Sequence, residues 1–305
     1  MARLTALVFP GQGSQHPGML EMLPENDALD RLLDAAEALS DLHLRELAVL
    51  GDETDLADTR VAQPLLYLAD WAWGRALIDS GVEACAVAGH SLGELAALAI
   101  ADVYSVEAGL ELVVERSRLM AQCAAAAPGT MAAVLGLDFQ TIHSVVDVMD
   151  GVWIANDNAA GQVVISGTTD AVNIASEALA SAGARRVVPL KVSGAFHSPL
   201  MEPARAAFAE IVAGADFSAA KVPVFQNTDP TPATDPELIR SRLMAQITAP
   251  VRWTETMSAF AEEGIDLVIE SGPGAVLTGL TKRVNGLLGV SVASVGIERI
   301  LEEVS

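Results

Sequence analysis

Two cysteines in 305 residues leave no disulfide framework to read. Cys85 and Cys123 both sit in apolar surroundings, where core packing is the simpler role for each. Aromatic residues make up only 4% of the chain, which weakens any reading built on stacked nucleic-acid bases. Positive charge is scarce as well: 18 Lys and Arg stand against 40 Asp and Glu, a net of −22. Such a chain repels nucleic acid and anionic membrane surfaces on average. No apolar run approaches the roughly 18 residues of a membrane span. The N-terminus carries one basic residue, a very short apolar run and no signal-cleavage region, so a cytoplasmic protein is expected. Zinc-type Cys/His spacing and a Walker loop are missing, and Gly11 and Gly13 are followed by Pro17 and Gly18 at the wrong spacing for a dinucleotide loop. No metal and no resident cofactor are expected.

What the chain does have is apolar bulk. Hydrophobic residues are 51% of the total and mean hydropathy is +0.37, which excludes disorder over most of the length and allows a large core.

Strand-like runs alternate with helix-like ones, the mark of an α/β protein. Thr5–Phe9 reads as a short buried strand that stops at Pro10-Gly11-Gln12-Gly13-Ser14. Helical patterns follow at 27–39 and 63–78, the second with Pro64 in its first turn. A strand at 84–88 runs straight into Gly89-His90-Ser91-Leu92-Gly93-Glu94 and a helix to about Ile100. Ser105 is placed to cap a long helix with the apolar stripe Val106, Leu110, Val113 and Met120. The middle has its own order: strands at 130–135, 152–155, 162–166 and 186–190, with helices at 140–148 and 170–181. That β-α-β-β-α-β order is ferredoxin-like, and residues 128–193 read as a small domain inserted in a larger one, 1–127 and 194–305. The larger part resumes with helices near 199–213, 238–246 and 254–263, a strand at 266–270, then Ser271-Gly272-Pro273-Gly274 and a further helix.

Gly89-His90-Ser91-Leu92-Gly93 fits G-x-S-x-G between a strand and a helix. That context makes a nucleophile elbow, whose sharp turn lifts a serine Oγ above the sheet's carboxyl edge. A serine nucleophile needs a base. Of five histidines, His43 and His143 read as surface residues, and His90 adjoins the nucleophile but points elsewhere from such a turn. His16 follows the first glycine-rich loop. His197, in Ser193-Gly194-Ala195-Phe196-His197-Ser198-Pro199, lies where the chain re-enters the larger domain. Two readings stay open for it: the base, or a loop histidine capping the next helix. Arg116 also has two: a guanidinium that binds a carboxylate with two parallel hydrogen bonds, or a solvated arginine paired with Glu111 or Glu115, the simpler reading from spacing alone. Gln12 follows the first strand, and two readings stay open for its loop: a backbone N–H that completes an oxyanion hole, or a glycine-rich turn that holds a phosphate.

Taken together these residues resemble the malonyl-CoA:acyl carrier protein transacylase family, related to the acyltransferase domains of polyketide and fatty acid synthases. The similarity runs nearly end to end. It includes Phe9 to Gln15, Gln63-Pro64, the elbow with Glu94, Arg116 with Met120, Asn156 with Gly161-Gln162, Phe196 to Met201, and Gly272-Pro273-Gly274 through Leu280. The resemblance implies an α/β-hydrolase-like large subdomain carrying the ferredoxin-like one. It implies Ser91 as acylated nucleophile, His197 as base, Arg116 as the partner of the malonyl carboxylate, and the backbone amides of Gln12 and Leu92 as oxyanion hole. Gln63, Met120 and Phe196 would line the substrate site. Phe196 marks malonyl over methylmalonyl use, since a serine there tends to accompany the larger substrate. One departure is Ala249 where many members have Asn; the backbone carbonyl at that position orients the histidine in the family, a role that survives the change.

The implied activity is ping-pong transfer of malonyl from malonyl-CoA to the phosphopantetheine thiol of acyl carrier protein, in fatty acid biosynthesis, by a monomer. Candidate residues for docking an acidic carrier are Arg185, Arg186, Lys191, Lys282 and Arg283. The rivals are a serine hydrolase, the same transfer serving a polyketide or malonate decarboxylase carrier, and a binding module that lost catalysis.

Overall fold

Thr5–Phe9 (β1) is buried along its whole length, as a strand must be when both faces of its sheet are covered. The structure, a computed structural model, describes residues 3–304. In chain order the remaining strands are β2 (Ala84–Gly89), β3 (Gly129–Leu135), β4 (Val152–Ala159), β5 (Gln162–Thr168), β6 (Arg186–Pro189), β7 (Val224–Phe225), β8 (Val251–Arg252), β9 (Leu267–Glu270) and β10 (Leu288–Ser291). They form two five-stranded sheets.

The first sheet runs β10-β9-β1-β2-β7 with its pairs parallel. Parallel strands end on one edge, so the loops that begin at Pro10, His90, Gln226 and Ser271 emerge together. The period of two along β1 splits the core into two layers. Leu7 and Phe9 face Leu65, Leu95 and Leu98; Ala6 and Val8 face the side of Trp253, Phe260 and Leu277. Burying each large side chain of this kind stabilises the fold by roughly 1.5–3 kcal/mol.

The second sheet has the order β6-β3-β5-β4-β8. Its first four strands pair antiparallel in the ferredoxin-like order, and the helices Phe139–Val146 and Thr169–Ser181 cover one face through Ile142, Val146, Val172 and Leu179. The two-residue β8 comes from far downstream and adds a parallel edge, pairing Val251 with Asn156 and Arg252 with Asp157. Register shifts in β4 on both sides of Asn156 and Asp157 bend the strand there, the usual effect of a bulge. The molecule is thus mixed α/β, a parallel sheet flanked by helices beside a ferredoxin-like sheet.

One helix begins earlier than its apolar periodicity suggests. It spans Thr59–Asp79, because the Asp58 side chain accepts from the Arg60 N–H and caps it. Pro64 therefore lies inside the helix and not in its first turn. Pro64 has no N–H to give the Arg60 carbonyl four residues back, and Arg60 is exposed, where water can serve it. Ser105 caps the helix Val106–Ala126 as expected, accepting from the Ala108 N–H. The helices Leu44–Leu50, Val292–Val295 and Ile297–Val304, and strands β7, β8 and β10, have no counterpart in the sequence reading. Among the described residues no helix is long and apolar enough to cross a membrane.

Candidate active site

The turn between β2 and the helix Gly93–Ile100 is tight enough to exclude side chains at its corners. A Cβ on Gly89 would overlap the backbone of Gly93, and one on Gly93 would overlap the carbonyl of Phe9. Between them Ser91 takes a left-handed φ of +51°, a conformation that costs a non-glycine residue about 1–3 kcal/mol. His197 takes +55°. The two strained residues meet: Ser91 Oγ lies 2.7 Å from His197 Nε2.

The other ring nitrogen fixes the tautomer. His197 Nδ1 lies 3.0 Å from the Ala249 carbonyl and 3.1 Å from the Gln246 carbonyl, so Nδ1 carries the hydrogen and Nε2 accepts from the serine hydroxyl. Burial, and then the charge of Arg116, push the His197 pKa from 6.5 to about 3, against the pull of the Ala249 carbonyl. The imidazole is neutral at neutral pH and free to take a proton.

Arg116 is 1% exposed. Its Nη1 donates to Gln63 Oε1 at 2.6 Å, and its Nη2 to Gln246 Oε1 at 2.8 Å and Ser91 Oγ at 3.2 Å. Among the described residues its Nε has no partner. Burial lowers its pKa to about 10, with Glu94 opposing, so the group stays charged. The pairing with Glu111 or Glu115 does not occur: helix rotation turns Arg116 inward, and Glu115 pairs with Arg118 at 2.6 Å.

A chain of hydrogen bonds holds the guanidinium from behind. Gln63 Nε2 donates to Thr59 Oγ1 at 2.6 Å, and Thr59 Oγ1 donates to Gln12 Oε1 at 3.1 Å. Gln12 Nε2 ends the chain on the Ala57 carbonyl at 3.1 Å. Gln12, Gln63, Ser91, Leu92, Arg116, Met120, Phe196 and His197, every site residue read from the sequence, line one cavity of about 90 Å³, and Asn156 and His90 join them. His90 indeed points elsewhere, with Nε2 2.8 Å from Asn158 Oδ1 and its ring edge-on to Trp253. His43 and His143 are exposed. Val192 also borders a neighbouring cavity of about 810 Å³ that carries Arg60, Arg118 and Lys191.

Two functional residues escaped the sequence reading. Gln246 touches Arg116 and His197, and its Nε2 donates to the Ser91 carbonyl at 2.8 Å. Asn227 accepts from the Ser91 N–H through Oδ1 at 2.7 Å. Neither carries a motif of its own. The only signal was position: Gln246 closes a helix three residues before Ala249, and Asn227 follows a strand on the sheet's carboxyl edge. Among the described residues no group of three or more His, Cys, Asp or Glu is arranged to hold a metal ion.

This arrangement equips a serine to attack a carbonyl carbon with a cation held alongside. Comparison with known proteins agrees. The family model described as "Acyl transferase domain" matches residues 6–295. A malonyl CoA-acyl carrier protein transacylase of Synechocystis is 42% identical over 280 residues, 92% of this chain and 93% of that one. The solved structure of the malonyl CoA-acyl carrier protein transacylase from Coxiella burnetii superposes with a TM-score of 0.93 at 33% identity, covering 100% of this chain and 98% of that one. A malonyl-transacylase solved in complex with its type II PKS acyl-carrier protein superposes with a TM-score of 0.91 at 37% identity, over 97% and 99% of the two chains. With its serine elbow, backbone-oriented histidine and buried arginine, the chain belongs to the acyl transferase family, among the malonyl CoA-acyl carrier protein transacylases.

Proposed function

We propose that this chain moves malonyl from malonyl-CoA to the phosphopantetheine thiol of an acyl carrier protein through a malonyl-Ser91 intermediate. One observation carries the reading: Ser91 Oγ sits within hydrogen-bond reach of both His197 Nε2 and Arg116 Nη2. The first contact activates the hydroxyl. The second places a buried cation where the far carboxylate of a short diacid thioester arrives.

In the first half-reaction His197 Nε2 takes the Ser91 proton as Oγ bonds to the thioester carbon. The C–S bond then breaks and the proton passes to the departing CoA sulfur. In the second, the carrier thiol gives its proton to His197 and attacks the ester carbon. The C–O bond breaks and Ser91 recovers the proton. The tetrahedral oxyanion is assigned to the backbone N–H groups of Gln12 and Leu92, each worth about 10²–10³ in rate. The Ser91 N–H is engaged by Asn227 and takes no part. Phe196, 6% exposed in the cavity wall, is assigned to limit the space beside the acyl α-carbon.

The pantetheine arm is read as entering past Val192 from the larger cavity, which Lys191 borders. Arg185, Arg186, Lys282 and Arg283, all exposed, supply the remaining basic surface proposed for an acidic carrier. The carrier of fatty acid synthesis is the assigned partner, and a type II polyketide carrier the alternative, in view of the partner in the 37% identical complex. A cytoplasmic monomer with no resident cofactor completes the reading.

The test is intact-protein mass after brief mixing with malonyl-CoA, beside acetyl-CoA and a Ser91→Ala control. A malonyl-sized adduct on wild type alone, discharged by added carrier, is expected. Free malonate with neither adduct nor carrier labelling would favour a hydrolase.

A further inference from the structure

The elbow is held from outside its own loop. Asn227, 2% exposed, sits on the segment that follows β7. Its Oδ1 accepts from the Ser91 N–H at 2.7 Å, and its Nδ2 donates to the Gly89 carbonyl at 2.5 Å. One amide therefore bridges the residues on either side of His90, two positions apart in the turn. The amide is itself anchored. The Asn227 backbone N–H donates to Glu94 Oε2 at 2.7 Å, and its carbonyl accepts from the Arg252 N–H at 3.1 Å. Glu94, fully buried one turn beyond the nucleophile, also takes Gln226 Nε2 at 3.2 Å. The Ser91 carbonyl is held separately by Gln246 Nε2 at 2.8 Å.

We propose that Asn227 is a positioning residue, whose side-chain amide clamps Gly89 and Ser91 and so keeps the serine in the left-handed conformation that aims Oγ at His197. The assignment rests on the reading of Ser91 as the acylated residue. Three features select this amide. Ser91 is strained, so something must over-determine its backbone. The clamp needs a donor and an acceptor on one short, planar side chain, and the neutral amide of Asn supplies both at every pH. And by occupying the Ser91 N–H it leaves Gln12 and Leu92 as the amides free to meet the oxyanion.

The experiment measures the rate constant for malonyl-Ser91 formation, by rapid quench and mass, in wild type, Asn227→Ala and Asn227→Asp. Rates are taken per folded molecule, with the folded fraction read from thermal unfolding. Asn227→Ala is expected to lose about 100-fold in the acylation rate constant, the scale of a misplaced reacting atom, with the KM for malonyl-CoA within about twofold of wild type. Asn227→Asp keeps the acceptor for Ser91 but, ionised, offers Gly89 no donor. Its acylation rate is expected to rise as the pH falls from 8 to 5.5, because the protonated carboxyl again donates and accepts. Wild type shows no such rise. That acid-side recovery separates positioning from mere support of the fold. Wild-type rate constants per folded molecule in both variants overturn the proposal, as does a loss in the Asp variant that shows no recovery at low pH. If wild type itself acquires no malonyl, it is the functional reading that fails.

Discussion

Arg116 Nη2 stands 3.2 Å from Ser91 Oγ, and the other hydrogen bonds of this guanidinium go to the neutral amide oxygens of Gln63 and Gln246. Its charge is positioned without being cancelled by a contacting carboxylate. A cation kept this way has its full charge to offer an incoming anion, at the cost of burial that lowers its own pKa to about 10.

Arg116→Ala should therefore strike malonyl transfer far harder than acetyl transfer. Leaving a substrate carboxylate buried and unpaired costs about 3–5 kcal/mol, two to nearly four orders of magnitude in rate. Single-turnover acylation with the two thioesters side by side gives the comparison. Equal losses for both would remove the arginine from its assigned role.

The pH profile should be flat where an ordinary histidine would fail. A group of pKa about 6.5 is about 97% protonated at pH 5. With His197 at about 3, acylation should change by less than about twofold between pH 8 and pH 5. A steep fall centred near 6.5 would mean that the imidazole is far more hydrated than its burial indicates. The stability sign is also defined. Because the folded pKa is depressed, the unfolded chain binds the extra proton, so this histidine's contribution is intact above about 6.5 and is lost as the pH falls towards about 3.

Asp70 should show the opposite linkage. It is fully buried on the helix Thr59–Asp79 with, among the described residues, no partner for either carboxyl oxygen, and burial, then Glu270, raise its pKa well above the ordinary value. Its stabilising contribution is complete below the unfolded value and is lost as the pH rises through the folded one. Asp70→Ser should thus gain stability relative to wild type on going from pH 5 to pH 8. Urea melts at the two pH values decide it; an unchanged difference between the proteins would show a carboxyl solvated in solution.

Phe196→Ser should relax the choice of acyl group. Overpacking of a methyl against a full cavity wall costs about 1–3 kcal/mol. Removing the ring should improve methylmalonyl transfer relative to malonyl by about 5- to 150-fold. Competition between the two thioesters, read as the ratio of adduct masses on Ser91, measures it. No shift in that ratio would place the α-carbon elsewhere.

The elbow was legible because its demands are local. Gly89, Ser91 and Gly93 lie within five residues, and the strand before and helix after them announce the turn. The bonding of Arg116 was not, since its partners Gln63 and Gln246 lie 53 and 130 residues away and only packing brings them near. Glu115, one residue away, was the natural guess, and helical rotation sends it outward to Arg118. Asn227 stayed hidden for a different reason: its side chain bonds backbone atoms, as does the Gln246 amide nitrogen, and such contacts leave no pattern in side-chain chemistry. Strands β7 and β8, two residues each, are too short for any periodicity to register. Pro64 misled because it looks like a helix start, while the capping aspartate sits six positions before it.

The carbonyl of Ala249 that directs the imidazole is followed, after Pro250, by β8, the edge strand that zips onto Asn156 and Asp157 of the ferredoxin-like sheet. The tether of the imidazole and the hem of the small sheet are the same few residues of chain. The two sheets are consequently joined by a single stitch: the backbone that pairs with Asn156 and Asp157 begins two residues after the carbonyl that the imidazole faces.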